Sequence, residues 1–134
     1  MKIVTLLTDY GDYYAAQIKG ILSKDNINIV DITHDIRPHK NSVFAGAHIL
    51  KNAANKFPPG TVHVAVVDPG VGSERQAIAI KTNNYWLIGP DNGVLAPAAE
   101  DDGIKDVFLI NISSKSMTFH GKDVFAPAAL EIIK

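Results

Sequence analysis

The sequence contains no cysteine, and that one absence removes disulfides, thiolate metal ligands and thiol nucleophiles together. No apolar stretch approaches the length that spans a bilayer, and the run from Met1 to Leu7 is broken at Thr8-Asp9 before it reaches signal-peptide length. Neither a membrane partner nor export is therefore expected, and the setting is read as cytoplasmic. Charge of either sign is not in excess: 13 Lys and Arg stand against 14 Asp and Glu, for a net charge of −1. The basic residues are scattered, so the concentrated face that phosphate backbones require is missing and nucleic acid is not an expected partner. There is no Gly-rich loop ending in Lys-Ser/Thr and no dinucleotide fingerprint, so phosphate binding is not supported. His34, His39, His48 and His63 show no pair at metal-ligand spacing on one helix, and no metal is predicted.

What is present is an ordinary globular composition, 46% hydrophobic and 20% charged over 134 residues, the length of one layered core. Lys2 to Thr8 reads as a buried strand ending in the turn Asp9-Tyr10-Gly11. Asp12 is a candidate cap for a helix running to Ser23, where Ala15, Ile18, Ile21 and Leu22 recur at helical spacing. The pattern repeats with a strand over 27–32, a polar loop over 33–40 and a helix over 41–57 stopped by Pro58-Pro59-Gly60. Thr61 to Val67 is the clearest strand, and it runs straight into Asp68-Pro69-Gly70-Val71-Gly72-Ser73. Residues 76–82 and 85–88 predict a hairpin, with Asn83-Asn84 suited to left-handed turn conformations. A short helix over 92–99 limited by Pro97, a strand over 104–110 and a helix over 123–133 with Pro127 in its first turn complete the chain. Strands alternating with helices predict a three-layer α/β fold, a mostly parallel sheet with helices on both faces, in one domain over 1–134. Ligands of such sheets bind at the carboxyl ends of the strands, so the loops after Thr8 and Val67 are the informative ones.

The first of these loops carries Asp9 and Asp12, whose carboxylates could accept hydrogen bonds from both hydroxyls of a ribose, or serve only as a turn residue and a helix cap. In the second, Asp68 and Arg75 flank two glycines that let the backbone approach a ligand closely, or else form a surface ion pair across a tight turn. His120 precedes a helix N-terminus, where a neutral imidazole could bond a water or act as a base, although a lone histidine more often packs or caps. His34-Asp35 follows the second strand and is either a fragment of a site or a loop hydrogen bond. His63 and His48 read as core or surface residues. Pro90-Asp91-Asn92-Gly93 is first of all a turn, placed to line the same edge.

Taken in order, Thr8-Asp9-Tyr10-Gly11, Asp31-Ile32-Thr33-His34, Gly60-Thr61-Val62-His63-Val64, Val67-Asp68-Pro69-Gly70-Val71-Gly72-Ser73, Pro90-Asp91-Asn92-Gly93 and Thr118-Phe119-His120-Gly121-Lys122-Asp123 resemble the signature of the S-adenosyl-L-methionine hydroxide adenosyltransferase family. The resemblance covers essentially the whole chain and implies a Rossmann-like fold. It further implies hydrolysis of S-adenosyl-L-methionine to adenosine and L-methionine, by attack of water on the ribose C5′ with no cofactor. By the same resemblance Asp68, Arg75 and His120 surround the attacking water. Asp9 holds the ribose hydroxyls, Asp12 lies near the methionine amino group, and Gly121 and Asn92 are further substrate contacts.

The resemblance also carries departures. Related enzymes use halide in place of water, but Asp68 would repel an anion, and the long insertion that fluorinases carry after the Gly-rich loop is missing because Gln76 begins a strand directly. Lys122 stands where the family has Arg, which keeps the charge and loses the planar fork. The family's C-terminal β-rich domain, which completes the adenine pocket and in a homotrimer comes from the neighbouring subunit, is expected to be absent from these residues. Two functions follow as expectations, the catalytic half of a hydrolase or a truncated non-catalytic module that binds nucleoside or serves assembly. A third, an α/β nucleotide-binding protein of another kind, is weakened by the absence of a phosphate loop.

Overall fold

The computed structural model describes residues 2–23, 26–37, 40–69, 76–110 and 124–133. Within them the order is β1 (Lys2–Thr8), α1 (Gly11–Leu22), β2 (Ile27–Thr33), α2 (Ser42–Ala54), β3 (Val62–Val66), β4 (Ala77–Thr82), β5 (Trp86–Pro90), α3 (Ala96–Asp102), β6 (Ile104–Leu109) and α4 (Ala126–Ile133). The strands form one six-stranded sheet in the order β2-β1-β3-β5-β4-β6. β1 pairs in parallel with β2 and β3, and β3 with β5, whereas β4 is antiparallel to both its neighbours. The sheet is thus mixed and mostly parallel, as the alternation of elements predicts.

Strand geometry explains how one sheet serves two cores, because successive side chains leave opposite faces. On one face Val4, Leu6, Val62, Val64 and Val66 meet Ile18 and Leu22 of α1 and Ala129 and Ile133 of α4. On the other, Leu7, Ala65 and Val67 meet Leu50 and Ala54 of α2 and Leu95, Ala98 and Ala99 beside and within α3. Every residue of β3 is buried, which is why its sequence is apolar almost without alternation. Complete burial of a side chain such as Leu6, Leu22 or Leu50 stabilises the fold by roughly 2 kcal/mol.

Three expectations are corrected. Asp12 does not cap α1; the cap position is Tyr10, with no side-chain cap bond, and Asp12 lies inside the first turn, where its charge favours the helix dipole. The third helix is not 92–99 but Ala96–Asp102: Gly93 has φ +97° and Pro97 falls in the first turn, where its missing N–H costs nothing. The β4–β5 hairpin forms, yet no non-glycine residue among those described has positive φ. Its turn is held from outside instead, since Asp102 accepts from the Asn84 backbone N–H and side-chain amide at 2.7 Å each, and its carbonyl accepts from the Asn83 amide at 2.7 Å.

β6 differs from the other strands in that all six of its residues are exposed. Val107 and Leu109 are 51% and 68% accessible. No helix among the described residues is long and apolar enough to cross a membrane.

Candidate functional site

The strand order reverses direction at β1. The chain leaves β1 through α1 to β2 on one side, then returns through α2 to β3 on the other. Between the carboxyl ends of β1 and β3 the two connections diverge, and this switch point is the place where sheets of this kind bind ligands. Asp9 follows β1 and Asp68 lies just beyond β3, so the two acids singled out in the sequence meet at that edge. The contact is direct: the Asp68 backbone N–H donates to Asp9 Oδ2 at 3.2 Å.

Asp9 is half-buried. Burial pushes its carboxyl above the usual carboxylate range and outweighs the backbone N–H bonds that favour the charged form; the negative charge of Asp68 raises it further. An acceptor that is partly desolvated and already fixed by one donor is suited to receiving hydroxyl hydrogens, since little ordering remains to be done when a ligand arrives. Gly11, with φ +76°, makes the turn that follows.

Asn92 joins the same edge. Its amide donates to the Val67 carbonyl at 2.8 Å and its Oδ1 accepts from the Val94 N–H at 3.1 Å, so the loop after β5 is pinned to the end of β3. A substrate contact by Asn92 would draw on its second amide hydrogen. Asp12 is exposed at the start of α1. Arg75, His120 and Gly121 lie outside the described residues, as does the Gly-rich segment 70–75.

Residues that sequence reasoning left open also gather here. His34 is buried, and its carboxylate partner is Asp31 rather than Asp35: Nε2 to Asp31 Oδ1 is 2.7 Å and Nδ1 to Thr8 Oγ1 is 2.8 Å. Asp35 uses its backbone N–H on Thr33 Oγ1 at 3.1 Å. The second oxygen of Asp31 accepts from Lys19 Nζ at 2.8 Å. Burial works to raise the Asp31 carboxyl, but the hydrogen bonds from Lys19 and His34, with the charge of Lys19, prevail and hold it below its usual value. The signal for this cluster was the Asp31-x-x-His34 spacing at a strand end, which is ambiguous until β1 is laid alongside. His63 and His48 behave as their positions suggested, the first fully buried in β3 and the second exposed on α2.

Fold and strand order together define a class: a doubly wound α/β protein with Asp9 and Asp68 in contact at its switch point. Comparison with known proteins narrows it. Residues 4–134 match the family described as SAM hydroxide adenosyltransferase N-terminal domain, and the chain belongs to that family. It is 44% identical to the (R)-S-adenosyl-L-methionine hydrolase of Methanocaldococcus jannaschii, over 99% of this chain and 54% of that protein. The hydrolase of the same name from Salinispora arenicola is 42% identical, over 96% of this chain and 52% of the relative. Among solved structures, an uncharacterized conserved protein from Thermotoga maritima superimposes with a TM-score of 0.88 at 38% identity, covering 97% of this chain and 54% of that one. The chain thus spans about half the length of the relatives it matches.

Proposed function

We propose that this chain supplies the nucleoside side of the active site of an S-adenosyl-L-methionine hydrolase that forms adenosine and L-methionine. The observation that carries the reading is the meeting of Asp9 and Asp68 at the switch point of the sheet. Relatives at 42% and 44% identity bear that enzyme's name, which supports it.

In the reaction, a water oxygen forms a bond to the ribose C5′ while the C5′–S bond breaks, its electron pair returning to the sulfonium sulfur of the departing methionine. One proton is released. The leaving group carries its own activation as a positive charge, so position and desolvation are the main contributions required of the protein. Asp68, Arg75 and His120 are assigned to the water, Asp68 accepting a water hydrogen so that a lone pair is turned toward C5′. Asp9 accepts from the ribose hydroxyls, Asp12 faces the methionine ammonium, and Asn92 and Gly121 are further contacts. No resident cofactor or metal takes part in this scheme. The same reading places the complete protein as a cytoplasmic homotrimer whose remaining residues complete the adenine pocket.

The test is chromatographic detection of adenosine and methionine after incubation with S-adenosyl-L-methionine, using this chain and the full-length protein in parallel. Both products in equal amount are expected from the full-length protein, with no 5′-chloro nucleoside in the presence of chloride. Absence of product from both would leave the non-catalytic module as the better account.

A further inference from the structure

Resting on the assignment of Asp9 to the ribose, we propose that Thr8, His34, Asp31 and Lys19 form a positioning relay that fixes the Asp9 turn for recognition of the ribose hydroxyls. The proton arrangement along it follows from chemistry. An ionised carboxylate only accepts, so His34 Nε2 carries hydrogen and donates to Asp31 Oδ1 across 2.7 Å. Nδ1 lies 2.8 Å from the Thr8 hydroxyl, which donates to it when Nε2 bears the ring's one hydrogen. The lone pairs of Thr8 Oγ1 are left facing the backbone, and the Tyr10 N–H donates to that oxygen at 3.2 Å. Lys19 Nζ, reaching from α1, holds the second Asp31 oxygen at 2.8 Å and so fixes the far end.

The relay ends on the turn that bears Asp9. Three successive backbone N–H groups there are committed: Asp9 donates to the Val66 carbonyl at 3.3 Å, Tyr10 to the Thr8 hydroxyl, and Gly11 to the His34 carbonyl at 3.0 Å. Two of the three acceptors belong to the relay. Thr8 is fully buried and His34 is 8% exposed. The enclosed hydroxyl and imidazole keep each other as partners away from water, while the Asp31 and Lys19 side chains at the far end are 41% and 37% exposed. The pairing of β1 with β2 shifts register between Leu6 and Leu7, at the step where β2 passes from Asp31 to Thr33. Neither His34 nor Thr8 is bonded through its side chain to Asp9, so both act on the ligand through the backbone they hold.

A nucleoside pair separates this role from ordinary structural support. Adenosine and 2′,3′-dideoxyadenosine differ only in the hydroxyls assigned to Asp9, and their binding to the full-length protein is measured by calorimetry. Thr8→Val and His34→Gln should weaken adenosine binding roughly tenfold or more and leave dideoxyadenosine binding unchanged, whereas Thr8→Ser, which keeps the hydroxyl, should restore adenosine affinity. Equal losses for both nucleosides, or undiminished adenosine affinity in a folded Thr8→Val protein, would overturn the relay while leaving the ribose assignment standing. Failure of the wild-type protein to discriminate between the nucleosides would instead remove the ribose assignment itself. Thermal melting of each variant establishes folding, and His34→Gln carries the comparison should Thr8→Val not fold.

Discussion

Gly89 shows how closely single positions are determined. A Cβ placed there would lie 2.3 Å from the Ala65 carbonyl oxygen, a backbone atom that cannot swing aside. Gly89→Ala should therefore cost about 1–3 kcal/mol, read as a lower midpoint in urea unfolding. His63 makes a second residue-level case. It is fully buried, accepts or donates at Nδ1 to Thr5 Oγ1 at 2.7 Å, and packs edge-on to Phe57 and Tyr85. Burial pushes its pKa down to about 4, partly opposed by the Ala54 carbonyl and the charge of Asp102. The unfolded chain, with the ordinary value of 6.5, binds the proton first on acidification. This contribution to stability is thus complete above pH 6.5 and is lost as the pH falls toward 4, by as much as roughly 3 kcal/mol. The raised Asp9 carboxyl works the other way, the folded state gaining as the pH falls through its value. The His63 share is accordingly read as the difference in pH slope between wild type and His63→Phe, and equal slopes would refute it. For the proposed chemistry, Asp68→Ala and His120→Ala in the full-length protein should abolish hydrolysis with the fold intact. Retained turnover in both would remove these two residues from the mechanism.

Among elements, the β4–β5 hairpin depends on a residue outside itself. Its turn sequence Asn83-Asn84 suggested left-handed backbone, but the structure uses ordinary conformations and ties them to Asp102 at the end of α3. Gly103, with φ +89°, lets the chain turn directly from α3 into β6 beside Asn83. Asp102→Ala should loosen this corner by about 1–2 kcal/mol, with faster amide exchange over 82–86 than over β1 and β3. Uniform protection would show that the strand ladder alone holds the turn. The positions of α1 and α2 were legible because their apolar residues recur at helical spacing, whereas the start of α3 was not. Asn92 reads equally well as a helix-starting residue and as a bridge between loops, and the choice falls to the Val67 carbonyl, 25 positions away in sequence, to which it donates.

For the whole molecule, the sheet is shielded unevenly. β3 is wholly buried while β6, at one margin, exposes Ile104, Val107, Phe108 and Leu109. Among the described residues the outer edge of β6 pairs with no further strand. An apolar strand at a sheet margin is a template for association. The 134-residue chain should therefore self-associate at high concentration, and Leu109→Lys should reduce this in sedimentation velocity. A monodisperse monomer across the concentration range would contradict the expectation.

The sequence by itself determined the alternation of strands and helices, the mostly parallel sheet and the carboxyl edge on which Asp9 and Asp68 stand, because local periodicity and turn chemistry encode these within short windows. Only the tertiary structure decided which strands are neighbours. That choice brings Asp9 to the Asp68 backbone, joins His34 to Asp31 and Thr8 rather than to Asp35, and assigns the Asn83-Asn84 turn to Asp102. Hydrogen bonds of this kind join residues distant along the chain, and each forms only where packing of the two cores has already set the distance. No pattern within one segment specifies them.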